Sequence, residues 1–289
     1  MKKKIFIITG LVLILIIFAI IAMILIFNKE TPNNKSNELT EMKTEEVPDN
    51  AISKTETKVG YYADVDGDGN PDGIIYADLA TSKNGQWKDE NGEYAWSEKD
   101  GIYSYEAVAN TKNYYVSQTD YEGPFGIKDV LTAIDGDGED RFYVMALEDF
   151  SSETYCWYDA GYGNLHKFTT GISAEFGTGM ANTENMIEKW NSNTYGNQND
   201  NKTYLDVWGV IQQKVSEGWF IPSKGEWCAF SDSLDITSSN YTNYGLSKEY
   251  WSSSQLYNYD LAWCAGFSYG YTYSVAVNGN SRVRLSTTF

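Results

Sequence analysis

Asp64, Asp66 and Asp68 recur at every second residue and are followed by Gly69, Asn70 and Asp72, all within an Asp/Gly-rich stretch between two short apolar runs. Oxygen ligands at positions 1, 3, 5 and 9 of a loop, with a glycine at position 6 and a carbonyl at position 7, suit a hard cation such as calcium. Asp64, Asp66, Asp68, Asn70 and Asp72 are therefore the candidate ligands of a structural calcium ion. Position 12 is Ile75 and Asp78 falls too late, so a carboxylate from elsewhere would have to close the shell. The competing reading is turn chemistry alone, with the Asp-Gly pairs making tight bends. A second acidic stretch, Asp135 to Asp140, repeats the composition without the length of the pattern and reads as a loop.

Few other residues suggest reaction chemistry. Cys156, Cys228 and Cys264 are too few and too scattered for a disulfide framework or a metal cluster. Cys156 and Cys228 read as small buried hydrophobes. His166 is the only histidine and has neither a Ser or Cys partner nor a Glu-x-x-His context. No carboxylate pair is singled out by spacing for acid/base work. The expectation is a protein without catalysis. Binding chemistry is better represented. Leu256-Tyr-Asn-Tyr-Asp260 and Ser268-Tyr-Gly-Tyr-Thr-Tyr-Ser274 are crowded with Tyr, Ser, Asn and Gly. Tyrosine supplies large, rigid contact area with a polar tip, while the small polar residues adapt hydrogen bonds to a partner. An ordinary sheet edge with half-buried aromatics is the plainer alternative.

Residues 5–27 run from Ile5 to Phe27 without a charged side chain. At about 1.5 Å of rise per residue they cross a hydrocarbon core of roughly 30 Å as a transmembrane helix. The run exceeds a signal-peptide core and is followed by Asn28, Lys29 and Glu30, so it reads as an anchor rather than a cleaved signal. Lysines 2 to 4 place residues 1–4 in the cytoplasm and the C-terminal bulk outside the cell. Residues 28–58, rich in Asn, Thr, Glu, Lys and Pro, read as a flexible stalk. Residues 59–289 form the exported domain, with 250–289 as its binding segment.

Within that domain, Gly101–Ala107, Tyr114–Ser117, Arg141–Ala146 and Tyr155–Tyr158 read as strands. One helix is expected from a cap at Thr183 through Trp190, and another over Tyr204–Glu217, stopped by Gly218. A third follows Ser223, whose spacing to Glu226 is that of a capping box. An all-β tail closes the chain from Tyr250, so the fold class is α+β. The formal charge of -18, from 40 acidic and 22 basic residues, opposes nucleic acid and anionic bilayer surfaces as partners.

Gly218-Trp-Phe-Ile-Pro-Ser-Lys-Gly-Glu-Trp227 resembles the G-W-x-(L/I)-P-(S/T)-x-x-E-W segment of the formylglycine-generating, sulfatase-modifying family, a variant of the C-type lectin fold. More of the chain resembles the gut-bacterial variable proteins of diversity-generating retroelements. The pieces that carry this are DVDGDGNPDGIIYADLA, YYVSQTDYEGPFG, DRFYVMAL, CWYDA, GWFIPSKGEW, YWSSSQ and VRLSTTF, spread from residue 64 to the terminus. The resemblance implies a C-type-lectin-like scaffold whose C-terminal codons are rewritten from a template repeat, so that the altered side chains form a ligand-binding face. Carried over by position, the constant parts are Tyr250–Gln255, Ala262–Trp263, Phe267, Gly270 and Val283–Phe289. The ligand-binding candidates are Leu256, Tyr257, Asn258, Tyr259, Asp260, Cys264, Gly266, Ser268, Tyr269, Tyr271, Tyr273, Ser274, Asn278, Asn280 and Ser281.

The expectation is therefore a single-pass, surface-displayed, non-catalytic binding protein. Its extracellular ligand is more in keeping with protein than glycan, because Tyr-rich flat faces suit protein partners and no Glu-Pro-Asn or Gln-Pro-Asp sugar-binding triplet is present. An invariant structural or adhesin subunit of the cell surface is the alternative. A formylglycine-generating-like oxidase fits less well, since that family uses a pair of copper-binding cysteines and Cys264 has no nearby partner.

Overall fold

The acidic loop joins two antiparallel strands, Tyr62–Asp64 (β1) and Gly73–Asp78 (β2), in which Tyr62 lies opposite Ile74. The computed structural model describes residues 49–81, 110–134, 138–159, 172–192, 203, 205–256 and 260–289, all within the unit Val47–Phe289. The strands that follow are Tyr115–Gly123 (β3), Gly126–Thr132 (β4), Phe142–Ala146 (β5) and Tyr155–Cys156 (β6). Then come the helices Gly179–Ser192 (α1), Val207–Val210 (α2), Gln212–Ser216 (α3) and Lys224–Ser233 (α4). The tail holds Glu249–Gln255 (β7), Leu261–Gly266 (β8), Tyr271–Ala276 (β9), Asn280–Ser281 (β10) and Ser286–Thr288 (β11). The described part is thus α+β, as expected.

Six strands form the main sheet in the order β11-β5-β2-β1-β4-β3, with only β1 and β4 parallel. The last strand of the chain therefore pairs with β5 in the first half. Strand alternation gives this sheet two apolar faces. Tyr62, Ile74, Tyr76 and Met145 pack with Trp227 and Phe230 of α4 on one side. Ile75, Val144, Phe142 and Leu131 pack with Tyr114, Ile52 and Phe289 on the other. A second sheet, β7-β8-β9, shares the first core through Tyr250 and Ala265 and forms another through Trp251, Ala262 and Cys264.

The large buried residues are fastened as well as packed. Trp157 Nε1 donates to the Ser252 carbonyl at 2.9 Å, Trp227 Nε1 to that of Trp251 at 3.1 Å, and Trp251 Nε1 to that of Tyr155 at 2.6 Å. An indole satisfied in this way adds its apolar area to the core without leaving a donor unpaired. These bonds tie β7 to α4 and to β6.

Several local expectations change. Thr183 does not cap its helix but sits one turn inside it, where its Oγ1 donates to Gly179 O and accepts from Ile221 N. The helix expected over 204–217 is divided into α2 and α3 at Ile211. Asp206, ahead of α2, accepts from Trp190 Nε1 and Asp159 N instead of capping by its side chain. The helix after Ser223 forms with both halves of its capping box. Residues 52–58, expected to belong to a flexible stalk, are instead held against the folded unit. Ile52 is buried and its N–H donates to Tyr114 O, while Arg141 Nη2 holds the carbonyls of Ser53 and Glu56. Apolar and charged partners on the sheet supply what a polar stalk lacks.

The anchor expected at 5–27, most of the stalk and the strand expected at 101–107 lie outside the described residues. Among the described residues no helix is long and apolar enough to cross a membrane.

Candidate functional site

The acidic loop draws together three of its five candidate ligands. Asp64, Asp66 and Asp72 each offer a carboxylate oxygen, and these oxygens lie within 4.8 Å of one another. Backbone donors hold them there: Gly67 and Gly69 N–H donate to the two oxygens of Asp64 at 2.8 and 2.9 Å, and Val65 N–H to Asp72 Oδ2 at 2.7 Å. Asp68 and Asn70 do not join them. Asp68 Oδ1 instead accepts from the Asn70 backbone N–H and side-chain amide, and both residues are exposed. Burial raises the pKa of Asp72, and the charges of Asp66 and Asp64 add to the rise against the Val65 N–H. A divalent cation would relieve that repulsion, and three hard oxygens fit one. Asp66, Pro71 and Asp72 also line a groove of about 1310 Å³ together with Glu148, Asp149, Arg282 and Arg284.

The second candidate site lies at the far end of the β8–β9 hairpin. Tyr269 and Tyr271 are 58% and 49% exposed, among the most open large apolar side chains described. With Tyr273 they form one aromatic cluster, with centroid separations of 5.8 Å for Tyr269–Tyr271, 5.4 Å for Tyr269–Tyr273 and 6.1 Å for Tyr271–Tyr273. The turn beneath them is tight. Tyr269 N and Gly270 N both donate to Gly266 O, and Gly270 takes φ +80°, a left-handed conformation that a β-carbon would strain. Gly266 is required for a different reason: a β-carbon there would lie 2.5 Å from Tyr273 Cε1 and 3.0 Å from Tyr269 Cδ2.

Register decides which candidates share this face. Glu249 lies opposite Gly266, and Gly266 opposite Tyr271; Trp251 lies opposite Cys264, and Cys264 opposite Tyr273. Cross-strand partners point to the same side, so Glu249, Tyr271 and Tyr273 stand together, and Tyr273 Oη donates to Glu249 Oε2. Burial and the Glu249 carboxylate hold the Tyr273 hydroxyl far above the ordinary phenol range, so it remains a donor.

Other candidates fall elsewhere. Ser274 pairs with Trp263 on the opposite face, where Lys224 Nζ lies 3.5 Å from the Trp263 ring centre. Cys264, Gly266 and Ser281 are buried and offer no side-chain surface to a ligand. Cys264 and Gly266 share the side of Tyr271 and Tyr273 by register but are buried there, and a positional match along the sequence does not report depth. Burial also raises the Cys264 thiol pKa well above its usual value, and pushes the Cys156 and Cys228 thiols up to about 12. All three thiols are free and buried, and a raised pKa leaves little of the thiolate that nucleophilic chemistry needs. Asn278, on the turn after β9, and Asn280, the first residue of β10, are exposed, and Asn280 Oδ1 accepts from Cys156 Sγ. Ser268, Leu256 and Asp260 are half-buried, the last two bracketing Tyr257, Asn258 and Tyr259, which lie outside the described residues. Glu249 carries no motif and was missed. Its period-2 relation to Trp251 at the start of a strand was the available signal.

No family model, curated protein or solved structure matches this chain.

Proposed function

We propose that this chain is a surface-displayed binding protein whose C-terminal segment forms a recognition face on a C-type-lectin-like domain. The reading extends to an N-terminal membrane anchor, an extracellular domain, and codons in the 250–289 segment that are rewritten by a diversity-generating retroelement. It is non-catalytic, and its acidic loop takes a structural calcium ion through Asp64, Asp66 and Asp72.

The observation that carries the reading is the placement of Tyr269 and Tyr271. Two half-open aromatic rings, Tyr269 on the turn and Tyr271 at the first position of β9, stand over a base that is core: Phe267 is buried against Trp227, Phe230 and Tyr250. A contact surface built of rigid aromatics on an immobile support loses little entropy when it binds.

The deciding experiment is genetic and biochemical together. The locus is sequenced for a reverse transcriptase and for a near-copy of the Tyr250–Phe289 coding region that differs opposite adenines. Finding both, with strains differing at Tyr269 and Tyr271 and agreeing at Tyr250 and Arg284, is the expected result. Identical tails across strains with no such copy would remove diversification from the proposal.

A further inference from the structure

We infer that the tyrosine cluster receives a cationic side chain, arginine above all, presented by a protein partner; this rests on the recognition-face reading above. The π-face of a tyrosine carries negative potential, and a guanidinium or ammonium group within about 6 Å of a ring centre is attracted to it. Tyr269 and Tyr271 offer such faces, about half open, with their rings 5.8 Å apart and tilted by 31°. Arginine suits this arrangement better than lysine because its planar group stacks on aromatic rings and is more weakly hydrated.

Glu249 supplies the second element. Its carboxylate is bound to the hydroxyl of Tyr273, the third ring, and its strand position is in register with Gly266 and Tyr271. A carboxylate bonded to one ring of an aromatic cluster favours a positive group beside that cluster and disfavours a negative one. The chain as a whole adds to this, since 40 acidic against 22 basic residues draw basic partners and repel acidic ones during approach. An uncharged sugar would stack on the rings but would gain nothing from Glu249 or from the net charge beyond ordinary hydrogen bonds. The observations therefore favour a basic protein segment.

The test pans a library of random displayed peptides on the full chain, in parallel with a Tyr269→Ala/Tyr271→Ala double variant whose melting temperature is checked against the parent. Enriched peptides are then synthesised with each arginine replaced by citrulline, which keeps the shape and removes the charge. The expected result is enrichment of Arg-bearing peptides on the parent alone. Citrulline should then weaken binding about tenfold, the order of a cation over a partly dried aromatic face. Glu249→Gln, which can still accept from Tyr273, should weaken the same peptides several-fold without affecting neutral controls. Neutral or acidic peptides that need the two tyrosines would overturn the cationic partner while leaving the recognition face intact. So would a glycan array whose hits need the two tyrosines while no peptide is enriched. Peptides that bind the double variant equally well, or no binder in either format, would remove the recognition face and this inference with it.

Discussion

Glu226 and the loop aspartates are carboxylates managed in different ways. Glu226 is fully buried, and each of its oxygens is used: Oε2 accepts from Ser223 N–H, and Oε1 from the N–H groups of Gly177 and Gly179. Burial nevertheless pushes its pKa up to about 7 against the pull of those donors. An unfolded glutamate titrates near 4.3, so between about pH 4.5 and 7 the folded chain keeps a proton that the unfolded chain has lost. Its contribution to stability therefore falls as pH rises through that window and is level above it. Glu226→Gln removes this slope but sets an amide N–H against a backbone donor, at a cost of about 1–3 kcal/mol. Urea midpoints from pH 4.5 to 8 should show the parent's advantage over Glu226→Gln shrinking towards neutrality; a constant gap would mean that Glu226 stays ionised throughout. For the loop, Asp66→Ala should lower the melting temperature in calcium and leave it unchanged in chelator. A parent protein that melts alike in calcium and chelator would remove the metal from the loop.

At the scale of elements, what was legible in the sequence is what local chemistry decides. Helix α4 was read from Ser223 and Glu226 because a capping box is complete within four residues and needs nothing from the rest of the fold. Ser223→Ala should cost about 1 kcal/mol for the lost cap, and somewhat more here because Ser223 Oγ also donates to Glu175 O at 2.7 Å. Paired chemical denaturation of parent and variant measures it, and an unchanged midpoint would mean that the cap contributes nothing. The break between α2 and α3 was not legible, because Val207, Trp208, Ile211 and Val215 keep one apolar face across it. Periodicity reports the face and is silent about the hydrogen-bond ladder. Thr183 misled for a related reason: a threonine is as able to bond the carbonyl four residues back as to cap. In the acidic loop, spacing named five ligands, yet only Asp64, Asp66 and Asp72 converge, since Asp68 closes a turn with Asn70 instead. On the proposed recognition face, Tyr269 and Tyr271 were legible from composition. Glu249 was not, because its place beside them depends on pairing across β7, β8 and β9.

For the molecule as a whole, the segment proposed to carry the recognition face is held near both ends by the same group. Asp149, on the loop after β5, accepts from Tyr250 Oη at 2.7 Å and from Arg284 Nε at 2.9 Å. Arg284 in turn donates to Gly245 O and lies 5.5 Å from the Tyr250 ring centre. Beyond it, β11 closes the main sheet, and the N–H groups of Arg141 and Phe142 donate to the carbonyl of Phe289. The hairpin that carries Tyr269 and Tyr271 thus starts and finishes in anchored chain, and its turn can change without disturbing the anchors. Substitutions at the two kinds of position should differ accordingly. Asp149→Ala leaves a buried guanidinium without its counter-charge, which costs about 3–5 kcal/mol and should lower Tm by roughly 10 °C for a domain of this size. Tyr269→Ser and Tyr271→Ser remove half-exposed rings and should each stay within about 1 kcal/mol of the parent. Thermal melts of the three variants decide the matter: if the tyrosine substitutions destabilised as much as Asp149→Ala, the rings would be structural, and a face free to vary would have no physical basis.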